Sequence, residues 1–434
     1  MRITILAFAC AMASWPGLAW PSDAPAAPID TGHLKLAEAL RLAETANPEL
    51  RRVAAQQSAV EGGLQDARAL FFNNPQLSAE RTRREVPQAG LAGERRHEWS
   101  LGLSQPLEIA GQQAHRRAEA EAAVLAFGTE LERTRREVRV GTAEQFYQVL
   151  ALQQRQAIEA QARLLFERTA EAVEKRRVAG EDTRLDANVA SVELARAQGQ
   201  VDAVHEQLIA ARTALSATLQ LPPERSFEAV GRLDEGLDDA LPSPTELLAR
   251  LEAQPLQLKL AAQEEMARAR LALERASRVP DLTVGLSLGR EGSRDARERL
   301  TTLSISLPLP LFKRNAAAIG QAGSALTQAQ IDRLAGQRNS ESETRALLAR
   351  LGSLQQRIQR LRSSVAPRLS DNESLSLRSM KAGQIGLLEL IQVSRQVFDA
   401  RREQLDALLD YQTTRLALAR ITGLPLNAEE RTAR

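Results

Sequence analysis

The chain has 434 residues, with 57 basic against 55 acidic side chains and aromatic residues at only 3%. So few aromatics are a poor filling for one compact core, whereas the small and medium apolar residues suit the seams between helices. Because the acids are interspersed among the bases, the charge reads as solvated helix faces and argues against nucleic acid as a partner, despite a pI near 8.9.

The N-terminus reads as a secretory signal. Arg2 supplies the positive start, residues 3–13 the apolar core, and Gly17, Leu18 and Ala19 the small residues expected before cleavage. Residues 1–19 are assigned to this signal, with cleavage after Ala19; lipidation of Cys10, the sole cysteine, is the alternative. Cleavage leaves a mature chain with no disulfide and no thiol chemistry. A Pro/Ala-rich leader occupies residues 20–33. An amphipathic helix is expected over 34–46, interrupted by Asn47 and Pro48. A second helix is expected over 49–72, stopped by Asn73, Asn74 and Pro75.

The periodicity then changes from 3.6 to 2. In residues 97–107, Trp99, Leu101 and Leu103 alternate with Ser100, Gly102 and Ser104. Residues 76–86 form a weaker partner, because Arg81 and Arg83 interrupt their apolar face. A first hairpin is therefore expected at about 76–107.

Residues 112–178 contain no proline and are dense in Ala, Glu, Gln, Leu and Arg, which favour helix. Ala143, Leu150, Ala157 and Leu164 recur every seventh residue, and beside them so do Ala151, Ile158, Leu165 and Ala172, as a coiled-coil seam two residues wide does. Gly128 and Gly141 within this stretch suggest close approach of a neighbouring helix. The stretch ends at Val178, Ala179 and Gly180, and a return helix is expected to reach residue 219. Residues 222–254, with Pro222, Pro223, Pro242 and Pro244, read as a connector holding one short helix.

The second half repeats the plan. A hairpin is expected at about 281–310, where Leu282, Val284, Leu286 and Leu288 alternate with small polar residues, as do Leu303 and Ile305. A long helix follows from residue 315, with Pro367 expected to kink it. It ends at Lys381, Ala382 and Gly383, and a return helix runs to about 422. Gly383 lies 203 positions after Gly180, Leu388 after Leu185, and Leu424 after Leu221. A fixed offset over several landmarks argues for duplication, with repeats at 34–221 and 255–426 and a tail at 427–434.

Strands of about ten residues with one apolar and one small polar face suit lipid outside and water inside. Four strands cannot close a barrel, and an open edge leaves unpaired backbone groups in lipid. Two copies would supply eight strands and three would supply twelve.

The sequence resembles the outer-membrane factor family, the TolC-like channels of tripartite efflux and type I secretion. The resemblance rests on the ordered set of features: the duplicated plan, Asn47, Pro48, Glu49 and Leu50 near the start, and the hairpin end Leu103 to Glu108 with its copy Ile305 to Leu309. The turns at Gly180 and Gly383 complete the set. The resemblance implies a mainly α chain with a small transmembrane β part. It further implies a homotrimer whose twelve-stranded β-barrel continues into a periplasmic α-helical barrel. The implied partners are outer-membrane lipid, a periplasmic adaptor (membrane fusion protein) and an inner-membrane RND-type pump. Gln105 to Gly111 is similar to the CzcC-like heavy-metal branch; multidrug efflux and protein secretion are the alternatives within the family. A soluble periplasmic coiled-coil adaptor or scaffold is the alternative from another class.

No nucleophile motif, phosphate loop or metal-ligand spacing stands out, and His33, His97, His115 and His205 fall on separate elements. No catalytic residue, cofactor or bound metal is expected. By the family's pattern, acidic residues just past the turns line the entrance. The matching positions are Asp186 and Glu389, with Arg184 as a nearby partner and solvated surface charge as the alternative. Val178, Ala179, Gly180, Lys381, Ala382 and Gly383 are the expected adaptor-contact turns. Phe71, Phe72 and Phe312 fall where helix meets strand, as a membrane-interface girdle or as ordinary packing.

Overall fold

The computed structural model describes residues 32–88, 91–222, 225, 227–292, 297–312 and 314–426. The expected signal with Cys10, nearly all of the leader and the tail lie outside them. A three-residue strand β1 (His33–Lys35) leads into α1 (Leu36–Ala46), α2 (Pro48–Ala55) and α3 (Gln57–Ala67). A hairpin of β2 (Gln76–Gln88) and β3 (Leu91–Leu107) follows, then α4 (Gln112–Val178) and its return helix α5 (Arg184–Leu219). The connector carries β4 (Glu228–Val230) and α6 (Pro244–Leu251). The second half runs α7 (Pro255–Ala276), β5 (Leu282–Gly292), β6 (Arg297–Ser306), α8 (Ala316–Arg360), α9 (Ala366–Lys381) and α10 (Leu387–Thr422). At 67 residues, α4 is about 100 Å long. Among the described residues no helix is long and apolar enough to cross a membrane.

The two hairpins form one antiparallel sheet in the order β2-β3-β5-β6, which leaves β2 and β6 as edges. Its register aligns like with like. Leu77, Leu103, Leu286 and Leu303 form a row across all four strands on one face. All four are exposed, Leu77 and Leu303 to 72% and 70%. On the other face Ser78, Gly102, Ser287 and Thr302 align, as do Gln76, Ser104, Gly285 and Ser304. That face is crowded even without larger side chains: a Cβ on Gly102 would lie 2.7 Å from Ser78 Oγ, and one on Gly285 2.5 Å from Ser304 Oγ.

The core lies where the connector meets the helices. Strand β1 pairs in parallel with β4, so Leu34 belongs to a strand and not to the helix expected from residue 34. The buried Tyr411 of α10 donates its hydroxyl to Gly236 O at 2.6 Å, and Gln412 donates to Leu233 O and Glu235 O at 2.7 and 2.9 Å. These bonds, with Leu233 and Leu237 buried beside Phe146 and Leu408, fasten the connector to the rods.

Other expectations are corrected. The helix expected over 49–72 divides at Gln56, where the backbone shifts to a three-residue hydrogen bond onto Val53 O, and it ends at Ala67. Of the two-residue-wide seam of α4, Ala151 is buried and Ile158 and Leu165 pack against the buried clusters, but Ala157, Leu164 and Ala172 are exposed, while Ala162, Phe166, Thr169 and Val173 are buried. A straight helix drifts about 20° per heptad, so a seven-residue repeat leaves a face that recurs every 3.6 residues. No atom of another segment lies within 4 Å of a Cβ built on Gly128 or Gly141, so within one chain neither marks close helix approach. Pro367 does disturb its rod. It is accommodated by a π-helical turn, Leu361–Val365, and Ala366 N–H bonds back five residues to Leu361 O. Proline can neither donate to Ser363 O nor tolerate it closely, and the wider turn relieves both problems.

Candidate functional site

The two rod tips are built alike. At the first, Gly180 takes φ +81°, Gly180 N donates to Arg177 O at 3.0 Å, and Glu181 N donates to Arg176 O at 2.9 Å. At the second, Gly383 takes φ +70°, Gly383 N donates to Met380 O at 3.0 Å, and Gln384 N donates to Ser379 O at 2.8 Å. Both are Schellman turns, whose left-handed residue falls to glycine because a Cβ would strain it. Neither glycine has a neighbour within 4 Å of a built Cβ, so conformation and not space selects it. Val178, Leu185 and Leu388 are exposed beside the turns at 74%, 70% and 67%.

Asp186 and Glu389 each stand third in their return helix. Asp186 closes a capping box: its Oδ2 accepts from Thr183 N at 3.1 Å and from Thr183 Oγ1 at 2.6 Å, while Asp186 N donates to Thr183 Oγ1 at 3.2 Å. The Thr183 bonds hold its carboxyl below the usual aspartate range. Glu389 is exposed in the first turn of α10, where a carboxylate complements the helix dipole. Arg184 is exposed and forms no ion pair among the described residues, so the expected pairing with Asp186 is replaced by Thr183. Arg176 instead reaches Asp182 at 3.1 Å and Glu181 at 3.4 Å. Asp186 and Glu389 make no bond to each other.

Behind the tips, ion pairs that periodicity does not reveal fasten α10 to α4 and α5. Arg402 Nε donates to Glu159 Oε1 at 2.8 Å, Arg155 Nε to the same oxygen at 3.0 Å, and Arg395 Nε to Glu193 Oε2 at 3.0 Å. Glu159 is wholly buried. Burial alone would raise its carboxyl, but Arg402 and Arg155 outweigh that and hold it below the ordinary range. A weak sequence signal existed: Glu159 is an acid beside the apolar Ile158 and Ala162, within a stretch that packs.

At the opposite end, Phe72 lies under the Arg116 guanidinium, 3.5 Å from its ring centroid, while Phe312 is 98% exposed. Among the described residues no group of His, Cys, Asp and Glu is placed to hold a metal ion. The geometry is thus two tips on long rods, each carrying charge beside an exposed leucine, and, at the far end, an open sheet with one apolar and one polar face.

Four similarities bear on this arrangement. The sequence profile of the family described as "Outer membrane efflux protein" matches residues 39–219 and 248–424. The cobalt-zinc-cadmium resistance protein CzcC of Cupriavidus metallidurans is 29% identical over 400 residues, covering 90% of each chain. Among solved structures, VceC, an outer membrane protein of Vibrio cholerae, superposes with a TM-score of 0.75 at 16% identity over 90% of this chain and 97% of that one. The CmeC outer membrane channel of Campylobacter jejuni superposes with a TM-score of 0.76 at 13% identity, over 92% and 88%.

Proposed function

The chain belongs to the outer membrane efflux protein family, and from that premise we propose that three copies form a passive duct for heavy-metal cations of the cobalt, zinc and cadmium type. The observation that carries the duct is the unclosed four-stranded sheet, whose apolar row faces out and whose edges β2 and β6 lack partners among the described residues. In lipid every backbone group must be paired, so the edges require other copies. Three copies give 4 × 3 = 12 strands, the closure that the family resemblance implies. The cargo reading is supported by the likeness to CzcC over 90% of both chains. Deleting the gene is expected to sensitise cells to cobalt, zinc or cadmium; sensitivity only to drugs would overturn the metal reading.

The halves are read as duplicates. Support comes from the tip bonds, which recur at the 203-residue offset: Glu181 to Arg176 in one half, Gln384 to Ser379 in the other. The tips are the inner, periplasmic end, and their exposed Leu185 and Leu388 offer apolar footing for an adaptor that links the duct to an RND-type pump. Asp186 and Glu389 ring the entrance, six carboxylates in a trimer, and favour cations. Asp186→Ala with Glu389→Ala should raise single-channel conductance in planar bilayers; an unchanged value would remove both residues from the constriction.

A further inference from the structure

Beyond the leucine row, toward the hairpin tips, the sheet gathers arginines on its apolar face. The next row but one on the apolar face is Arg81, Trp99, Arg290 and Arg299, in register across all four strands. Arg83 and Arg297 follow on the same face, where Arg83 meets Glu85 at 3.3 Å. The opposite face carries Glu80, Glu98, Glu291 and Glu298 over the same span, with Arg84 3.5 Å from Glu98. Arg81, Arg290 and Arg299 are exposed and have no acidic partner among the described residues.

Sheet stability does not ask for this. Arg290 stands directly opposite Arg299, and Glu291 directly opposite Glu298. Like charges directly opposite each other destabilise a strand pair. Exchanging Glu298 with Arg299 would pair both sites, yet in β5 and β6 the described bases keep to one face and the acids to the other, whereas the first hairpin mixes Glu85 into the first face and Arg84 and Arg96 into the second. The two faces therefore meet different surroundings at this height. Trp99, in the same row, is the residue type that settles at a membrane–water boundary. From Leu282 to Arg290 is eight residues, about 26 Å along a strand and about 20 Å in height at the usual ~40° tilt, close to the apolar band of a membrane barrel.

We propose that this arginine row binds the phosphates of the lipid headgroups in the outer leaflet of the outer membrane. The inference rests on the barrel reading above, which puts the hairpin tips on the outside. Arg suits the role because its planar fork takes two phosphate oxygens at once and stays charged. Phosphate between Arg290 and Arg299 would turn a repulsive cross-strand pair into a shared site.

The full-length trimer, purified from the outer membrane, is tested for binding to lipopolysaccharide and to the same lipopolysaccharide stripped of phosphate. The wild type should bind the stripped form about tenfold or more weakly. Arg81→Gln/Arg290→Gln/Arg299→Gln should bind both forms at that lower level. Glu80→Gln/Glu298→Gln, on the other face, should bind like the wild type. Equal wild-type affinity for both forms would overturn the proposal, as would undiminished binding by the triple variant. If that variant does not assemble, the two lipopolysaccharide forms decide on the wild type alone. A wild-type chain that fails to assemble in the outer membrane overturns the barrel reading itself, which separates the two failures.

Discussion

Glu159 shows what a single buried charge does in a rod. It has no exposed surface and is satisfied by Arg402 from the packed helix α10 and by Arg155 one turn earlier on its own helix. Removing one partner of a buried pair strands the other charge. Arg402→Ala should therefore lower stability by about 3 kcal/mol, at the low end because Arg402 keeps 23% of its surface in water. Glu159→Leu combined with Arg402→Met should recover most of the loss, read from thermal unfolding in detergent. A second charge acts on the connector. Hydrogen bonds from Arg232 and then Arg362 outweigh burial and lower the Asp234 carboxyl from 3.8 to about 2. A lowered folded-state pKa gives stability that is complete above the unfolded value and lost as pH falls through the folded one. Asp234→Asn should thus be less stable than wild type at pH 6, and the difference should close between about pH 4 and pH 2, measured by urea unfolding.

At the scale of elements, alternation and helix composition were legible because each side chain reports its own face. Three strands of the sheet and the long rods could be placed from periods of 2 and 3.6, the first strand from the echo of Pro75, Gln76 and Leu77 in Pro280, Asp281 and Leu282, and the Ala-Gly turns from the left-handed conformation that glycine permits. What was not legible depends on distant partners. The pairing of β1 with β4 joins three-residue strands almost 200 positions apart, too short to show a period. Arg81 and Arg83 look like faults in an apolar strand until the register sets them beside Arg290, Arg299 and Arg297. Asp186 could be located by counting from Gly180, but its bond to Thr183, and not to Arg184, depends on the local turn of the backbone.

At the scale of the molecule, the open sheet makes the leucine row the decisive surface. Leu303 is 70% exposed in the single chain and sits mid-height on the lipid side of the proposed barrel. A charged residue there should cost about 2–4 kcal/mol per copy in lipid. Leu303→Arg should thus reduce the amount of the proposed trimer recovered from outer membranes, whereas Ser304→Arg, on the water side, should spare insertion unless it crowds Gly285. The rods join this sheet to the tips, and one of them carries an irregularity with a geometric meaning. Past Ile358 and Leu361, the inward positions of the second-half rod step by four to Val365, Leu369 and Glu373, all partly buried. Twelve residues of ordinary helix turn through about 1,200°, which is three revolutions and some 120° of phase error. The π turn absorbs one residue, about 100°, and cancels nearly all of it. The rod is thus one residue longer than its phase requires. Removing one residue between Leu361 and Val365 would keep the final stretch facing Arg401, whereas the same loss elsewhere in the rod would swing that stretch through more than a quarter of a turn.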